Sequence, residues 1–176
     1  MKEIYFAGGC FWGTEHYLKQ IRGVVGTEVG YANGKTPNPT YQDVCTDRTG
    51  FAETVRVLYD PEIISLEFLA ELYFKAIDPT SLNRQGPDEG TQYRTGVYYT
   101  DPVDRAALEK VFAAEQDNQR EIIEVELEPL RNFYPAEEYH QDYLDKNPSG
   151  YCHLPRSMFA FAAKANIPGE NGKSQE

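Results

Sequence analysis

At the N-terminus the spacing of apolar side chains changes period across a pair of glycines. Residues 4–7 (IYFA) form a short apolar run, Gly8-Gly9 stops it, and Phe11, Thr14, Tyr17, Leu18 and Ile21 then recur at roughly helical intervals. The first stretch reads as a strand and the second as a helix with one buried face, joined by a tight glycine turn. Each such element has one apolar side that a second layer must cover, so the chain is directed toward packed layers of sheet and helix.

The rest of the chain continues the alternation. Residues 24–31 (VVGTEVGY) are β-rich, whereas residues 32–50 are loaded with Gly, Asn, Pro and Asp and predict a long loop. Residues 52–59 alternate, placing Glu53, Val55, Val57 and Tyr59 on one strand face and Thr54, Arg56 and Leu58 on the other. Ser65 can cap a helix with an apolar stripe of Leu66, Leu69, Leu72, Tyr73, Ala76 and Ile77, which Asp78-Pro79 ends. A second long loop (residues 79–94) leads to a strand at residues 96–99. Asp101-Pro102-Val103-Asp104 then reads as a cap plus a proline at the first position of a helix carried by Ala107, Leu108, Val111, Phe112 and Glu115. Residues 122–127 predict a strand, residues 137–144 a short helix, and Asn147-Pro148-Ser149-Gly150 a break before Tyr151-Cys152. Two or three helices among four or more short strands, without long crossovers at regular spacing, predict an α+β layered domain.

Composition narrows the function classes. A chain of 176 residues suits one domain with a substantial core. Its 17 Lys+Arg against 28 Asp+Glu, a net charge of −11, argue against a nucleic-acid partner, which needs clustered cations. The first residues carry no apolar run of a secretory signal, and no stretch approaches the ~18 apolar residues of a membrane span. Both Asn-x-Ser/Thr sites have proline in the middle and are poor glycosylation acceptors. Cys10, Cys45 and Cys152 are odd in number and far apart, fitting neither an extracellular disulfide framework nor a paired zinc site. His16, His140 and His153 share no two-ligand spacing, so neither a metal nor another cofactor is expected. A reducing cytoplasm, where thiols persist, is the expected compartment.

The candidate chemistry begins at Cys10, directly after two glycines and at a helix start, where free N–H groups and the helix dipole favour a thiolate. The alternative is a buried structural cysteine. Phe11 and Trp12 follow, either as core or as an apolar wall beside a nucleophile. Glu53 falls on the more apolar strand face, where a carboxyl stays neutral and can donate a proton near pH 7; a register slip would instead point it at solvent. Residues 30–36 (GYANGKT) have three residues between their glycines and not the four of a phosphate-binding loop. Tyr31, Tyr41 and Tyr93 lie in or beside the glycine-rich loops, as surface packing or as hydroxyl donors to a ligand.

Taken together, Gly8-Gly9-Cys10-Phe11-Trp12-Gly13 with Glu15 resembles the signature of the A-type peptide methionine sulfoxide reductases. Gly30-Tyr31-Ala32-Asn33-Gly34, Asn38-Pro39-Thr40-Tyr41, Gly50-Phe51-Ala52-Glu53, Arg84-Gln85-Gly86-Pro87-Asp88, Gly90-Thr91-Gln92-Tyr93-Arg94, Glu138-Tyr139-His140-Gln141 and Gly150-Tyr151-Cys152 resemble further motifs of that family in order. The resemblance implies a two-layer α/β sandwich around a mixed, mostly antiparallel sheet, a ferredoxin-like plait. The catalytic domain is expected over residues 1–155, followed over residues 156–176 by a C-terminal arm whose polar end, GENGKSQE, is expected to be disordered.

By the same resemblance, Cys10 attacks the sulfoxide sulfur while Phe11 and Trp12 wall the pocket for the substrate methyl group. Protonated Glu53 serves the sulfoxide oxygen with Tyr41 and Tyr93, Asp88 holds the substrate backbone, and His140 and Tyr143 lie near the site. Cys152 then resolves a Cys10 sulfenic acid as a disulfide that thioredoxin reduces. The implied substrate is the S epimer of methionine sulfoxide, free or in oxidised proteins, handled by a cytoplasmic monomer. Phe51 stands where many relatives have His, only one cysteine follows in the C-terminal region, and Cys45 matches a non-catalytic position. The Gly-Tyr-Cys-His ending resembles A domains fused to a B-type reductase, although the chain reads as free-standing. A two-cysteine thiol peroxidase and a silent binding module for oxidised methionine are the competing readings.

Overall fold

The computed structural model describes residues 1–165. The strands are β1 (Lys2–Ala7), β2 (Val24–Ala32), β3 (Ala52–Tyr59), β4 (Arg84–Gln85), β5 (Asp88–Glu89), β6 (Gly96–Tyr99), β7 (Glu126–Pro129) and β8 (Phe133–Pro135). The helices are α1 (Phe11–Lys19), α2 (Tyr41–Cys45), α3 (Leu66–Lys75), α4 (Asp104–Asp117), α5 (Tyr143–Lys146) and α6 (Ser157–Ala163), with 3-10 turns at Thr91–Tyr93 and Glu138–His140. Six strands form one sheet in the order β7-β6-β1-β3-β2-β8, and β4 and β5 form a separate hairpin. Among the described residues only the β6–β7 pairing is parallel. The inner order β6-β1-β3-β2, with α1 between β1 and β2 and α3 between β3 and β6, is that of a ferredoxin-like plait.

Strand alternation explains the two layers. Register pairs Phe6 with Val55 and Val97, and Val55 with Val29, so these side chains share one face. That face is buried with Tyr17, Leu18 and Ile21 from the α1 region and Leu69 and Tyr73 from α3. Each large apolar side chain so buried contributes roughly 1.5–3 kcal/mol. The opposite face carries the smaller cluster Tyr5, Ala7, Ala32, Ala52 and Tyr98, covered by Leu130 and Phe133. Tyr73 fixes one end of the sheet: its hydroxyl donates to Ala7 O and accepts from Gly96 N–H at 3.1 Å. A Cβ at Gly8 would stand 2.9 Å from Ile77, so glycine is what lets the end of β1 lie against the α3 region.

Several elements depart from the sequence reading. The first long loop contains α2, which Thr40 starts with a capping box: its hydroxyl accepts Asp43 N–H while the Asp43 carboxylate accepts Thr40 N–H. The second contains the β4–β5 hairpin. Helix α4 begins at Asp104, after a turn in which the Asp101 carboxylate accepts Val103 N–H, so Pro102 precedes the helix. Ile122 is exposed, and β7 begins only at Glu126, where pairing with β6 starts. Residues 137–144 split because Asp142 adopts a left-handed φ of 52°, its N–H held by Glu15 Oε1. The sequence pattern predicts neither β8 nor α6; Phe159 of α6 packs edge-on to His16 of α1. The described residues take in residues 156–165 of the expected arm, and the polar end expected to be disordered lies outside them.

Candidate active site

The site forms where β1 ends, β3 begins and α1 starts. Gly9 turns the chain with φ of +80°, a conformation that favours glycine, and Cys10 occupies the N-cap of α1. Thr14 Oγ1 donates to Gly8 O at 2.8 Å and ties the first turn of the helix to the glycine turn. The N–H of Phe11 donates to Glu53 Oε1 at 3.2 Å, so one of the helix's free donors is spent on an acid brought in by β3. Glu53 lies on the helix-covered face, opposite Tyr31 in register, and is 1% exposed. Gln92 Nε2 donates to its other oxygen at 2.8 Å. Those two donors favour the carboxylate, but burial outweighs them and pushes the Glu53 pKa up to about 8. The carboxyl is neutral at pH 7.

Burial also overturns the thiolate expected at Cys10. Its thiol is pushed well above the ordinary range, first by burial and then by the charge Glu53 would carry, against a smaller opposing hydrogen bond from the Trp12 backbone. Helix-start donors stabilise an anion, but a cysteine 7% exposed loses more solvation than they return. The resting pair is therefore a thiol and a carboxylic acid.

Aromatic residues surround the pair. Trp12 stacks on Tyr143 with ring centroids 3.7 Å apart and donates from Nε1 to His140 Nδ1 at 2.9 Å. His140 is fully buried and held neutral by burial. Phe11 lies behind, 5.1 Å from His140 and 5.8 Å from Tyr31 between ring centroids. The Tyr41 ring stands 4.6 Å from His140. Burial first and the neighbouring Glu53 second raise the Tyr41 and Tyr93 pKa values, keeping both hydroxyls protonated. Glu137 accepts from Tyr31 OH at 2.9 Å and from Tyr41 N–H at 3.1 Å, tying the start of α2 to the sheet. Asp88 projects from the hairpin, and both of its oxygens accept the Tyr151 hydroxyl at 2.9 Å. The C-terminal segment lies against α1: a Cβ on Gly13 would stand 3.0 Å from Cys152 Sγ. All three cysteines are free thiols.

The family model for peptide methionine sulfoxide reductase matches residues 2–169. The chain belongs to the A-type peptide methionine sulfoxide reductase family. Its relatives include the protein named peptide methionine sulfoxide reductase MsrA of Clostridium acetobutylicum, 56% identical over 158 residues that cover 90% of this chain and 98% of that protein. Among solved structures, reduced Mxr1 of Saccharomyces cerevisiae superposes with a TM-score of 0.83 at 43% identity, over 88% of this chain and 91% of that one. The same yeast protein in complex with Trx2 superposes with a TM-score of 0.58 at 30% identity, over 81% and 84% of the two chains.

Within this reductase the sequence-predicted residues Cys10, Glu53, Phe11, Trp12, Tyr41, Tyr93, His140 and Tyr143 gather at one end of the sheet, with Asp88 and Cys152 on segments that close over it. The signature residue Glu15 is structural: it accepts from Thr27 and from the Asp142 backbone. Phe51 fills a core position edge-on to Tyr134 and lies flat under Gly34, whose Cβ would come within 2.2 Å of the ring. Gln92 received no role from the sequence, although it lies inside a quoted motif. Its Nε2 also reaches Cys45 Sγ at 3.7 Å, so the cysteine without an assigned function adjoins the partner of the buried acid. Among the described residues no cluster of His, Cys, Asp and Glu could hold a metal ion, and no helix is long and apolar enough to cross a membrane.

Proposed function

We propose that the chain reduces the S epimer of methionine sulfoxide, free or in proteins, through Cys10. The observation that carries this reading is the neutral carboxyl of Glu53, clamped by Phe11 N–H and Gln92 at the start of the helix that Cys10 opens. A sulfoxide needs a nucleophile at sulfur and a proton at oxygen, and a carboxylic acid still protonated at pH 7 supplies the second. The Cys10 sulfur attacks, Glu53 gives its proton to the sulfoxide oxygen, and the Tyr41 and Tyr93 hydroxyls steady that oxygen. Oxygen ends on Cys10 as a sulfenic acid, methionine leaves, and the former thiol proton restores Glu53. Trp12 is the wall for the substrate methyl group, backed by Phe11 and oriented by His140 and Tyr143, while Asp88 receives a backbone N–H of the substrate.

Cys152 then attacks the sulfenic acid, water departs, and a thioredoxin reduces the resulting disulfide. The yeast relative's complex with Trx2 supports thioredoxin as the reductant. The three free thiols suit a reducing cytoplasm, where we place the enzyme as a monomer.

The test supplies each epimer of a methionine sulfoxide peptide with dithiothreitol or, separately, with reduced thioredoxin, using the parent and the Cys10→Ser and Cys152→Ser variants. The expected result is consumption of the S epimer alone, no turnover by Cys10→Ser, and about one methionine per enzyme from Cys152→Ser when thioredoxin is the only reductant. Turnover of hydrogen peroxide in place of either epimer would establish a thiol peroxidase instead.

A further inference from the structure

His153 has no part in the chemistry above, yet it occupies the angle between the glycine turn and the first turn of α1. A Cβ on Gly9 would stand 3.0 Å from its Nε2, and a Cβ on Gly13 would stand 3.0 Å from its Nδ1 and 3.0 Å from Cys152 Sγ. Imidazole and thiol therefore face the same glycine, one turn along the helix that Cys10 opens. Both ring nitrogens are shut off from solvent without a hydrogen-bond partner of normal geometry among the described residues, although the Gly8 carbonyl is near. An unsatisfied buried polar group is destabilising and invites a functional explanation.

The groups around the ring fix its protonation. Burial is the largest influence and lowers its pKa; Asp88 on β5 and the Gly8 carbonyl act in the opposite direction. The Tyr151 hydroxyl is engaged with Asp88, Cys10 is an uncharged thiol, the Cys152 thiol donates to Leu154 O at 3.4 Å, and the Arg156 charge favours the Cys152 thiolate. The imidazole is neutral near pH 7 and keeps one nitrogen as a lone-pair acceptor. Cys152 needs such an acceptor, because burial raises its own thiol above the ordinary range.

We propose that His153 accepts the proton of Cys152 as that sulfur attacks the Cys10 sulfenic acid, and returns it to the departing oxygen. This rests on the reading of Cys152 as the resolving cysteine. The S–H bond of Cys152 breaks toward the imidazole, an S–S bond forms, and the S–O bond on Cys10 breaks. The Cys152 sulfur is oxidised and the sulfenic sulfur is reduced. The leaving hydroxide takes the proton from the imidazolium, so water departs and His153 ends neutral. No outside oxidant or reductant enters this step.

A single-turnover experiment with one equivalent of S-epimer methionine sulfoxide peptide and no reductant tests it. Methionine release is followed by chromatography and disulfide formation by intact mass, for the parent, His153→Gln and His153→Ala. Methionine release is expected to match the parent, while the disulfide forms at least about tenfold more slowly in His153→Gln at pH 7. The deficit should shrink as rising pH ionises Cys152 directly, and added imidazole should accelerate His153→Ala. A His153→Gln disulfide rate within about twofold of the parent at every pH would overturn the proposal, as would a deficit that neither pH nor imidazole relieves. If the parent releases methionine without joining Cys10 to Cys152, the resolving role of Cys152 fails first, and the role of His153 with it.

Discussion

Replacing Glu53 with glutamine separates the electrostatics of the site from its shape. Native Glu53 holds its proton up to about pH 8, whereas the unfolded chain releases it near the ordinary value of 4.5. Between those values the native state binds more protons than the unfolded state, so stability from this group is full below pH 4.5 and is lost as pH rises. The loss is about 1.4 kcal/mol per pH unit and totals about 5 kcal/mol by pH 8, a large part of a typical domain's stability. An amide has no proton to lose. Its oxygen can accept the Phe11 N–H, and its NH2 can donate to Gln92 once that amide turns over to present oxygen.

Urea unfolding of the parent and Glu53→Gln at pH 5, 6, 7 and 8 measures the effect. The variant should gain on the parent steadily with pH, by several kcal/mol over the series, while other titrating groups largely cancel in the difference. Methionine release by Glu53→Gln should be slower by at least about a hundredfold and flat where the parent declines above pH 8. A stability difference that stays constant from pH 5 to pH 8 would refute the buried, protonated acid.

Two further perturbations probe the supports of the site. Gln92→Ala removes a donor that favours the Glu53 carboxylate, so the Glu53 pKa should rise further and the alkaline limb of methionine release should move to higher pH; a limb moved to lower pH would contradict the hydrogen bond. Gly13→Ala places a methyl group 3.0 Å from both Cys152 Sγ and His153 Nδ1, which should displace the C-terminal segment and slow disulfide formation about tenfold, as read by intact mass after one turnover, with methionine release far less affected. Equal slowing of both steps would mean that the methyl group disturbs Cys10 itself.

What could be read from the sequence was what local pattern determines. Alternation over residues 52–59 placed Glu53 on the covered face because strand period is a property of adjacent residues, and the Gly8-Gly9 break located the start of α1. The state of Cys10 was misjudged because a helix start is visible locally, whereas burial depends on what α1 packs against. The break at Asp142 depends on Glu15, 127 residues distant in sequence, and no window around residues 137–144 contains it. Three-residue β8 is held by pairing to β2 and is too short to alternate visibly. Helix α2 could have been read from Thr40 and Asp43, whose capping spacing was hidden among Gly, Asn and Pro. The links from Gln92 to Glu53 and from His153 to Gly13 join distant segments, and their signals were only the motifs that contain them.

The hydrogen bond from Tyr151 to Asp88 also ties the segment that carries Cys152 to the β4–β5 hairpin. Both carboxylate oxygens of Asp88 are turned to one hydroxyl that stands next to Cys152 in the chain. Under the role proposed for Asp88, a substrate N–H drawn to this carboxylate would compete with that hydroxyl. On that reading one tyrosine would couple the seating of a substrate to the position of the second thiol.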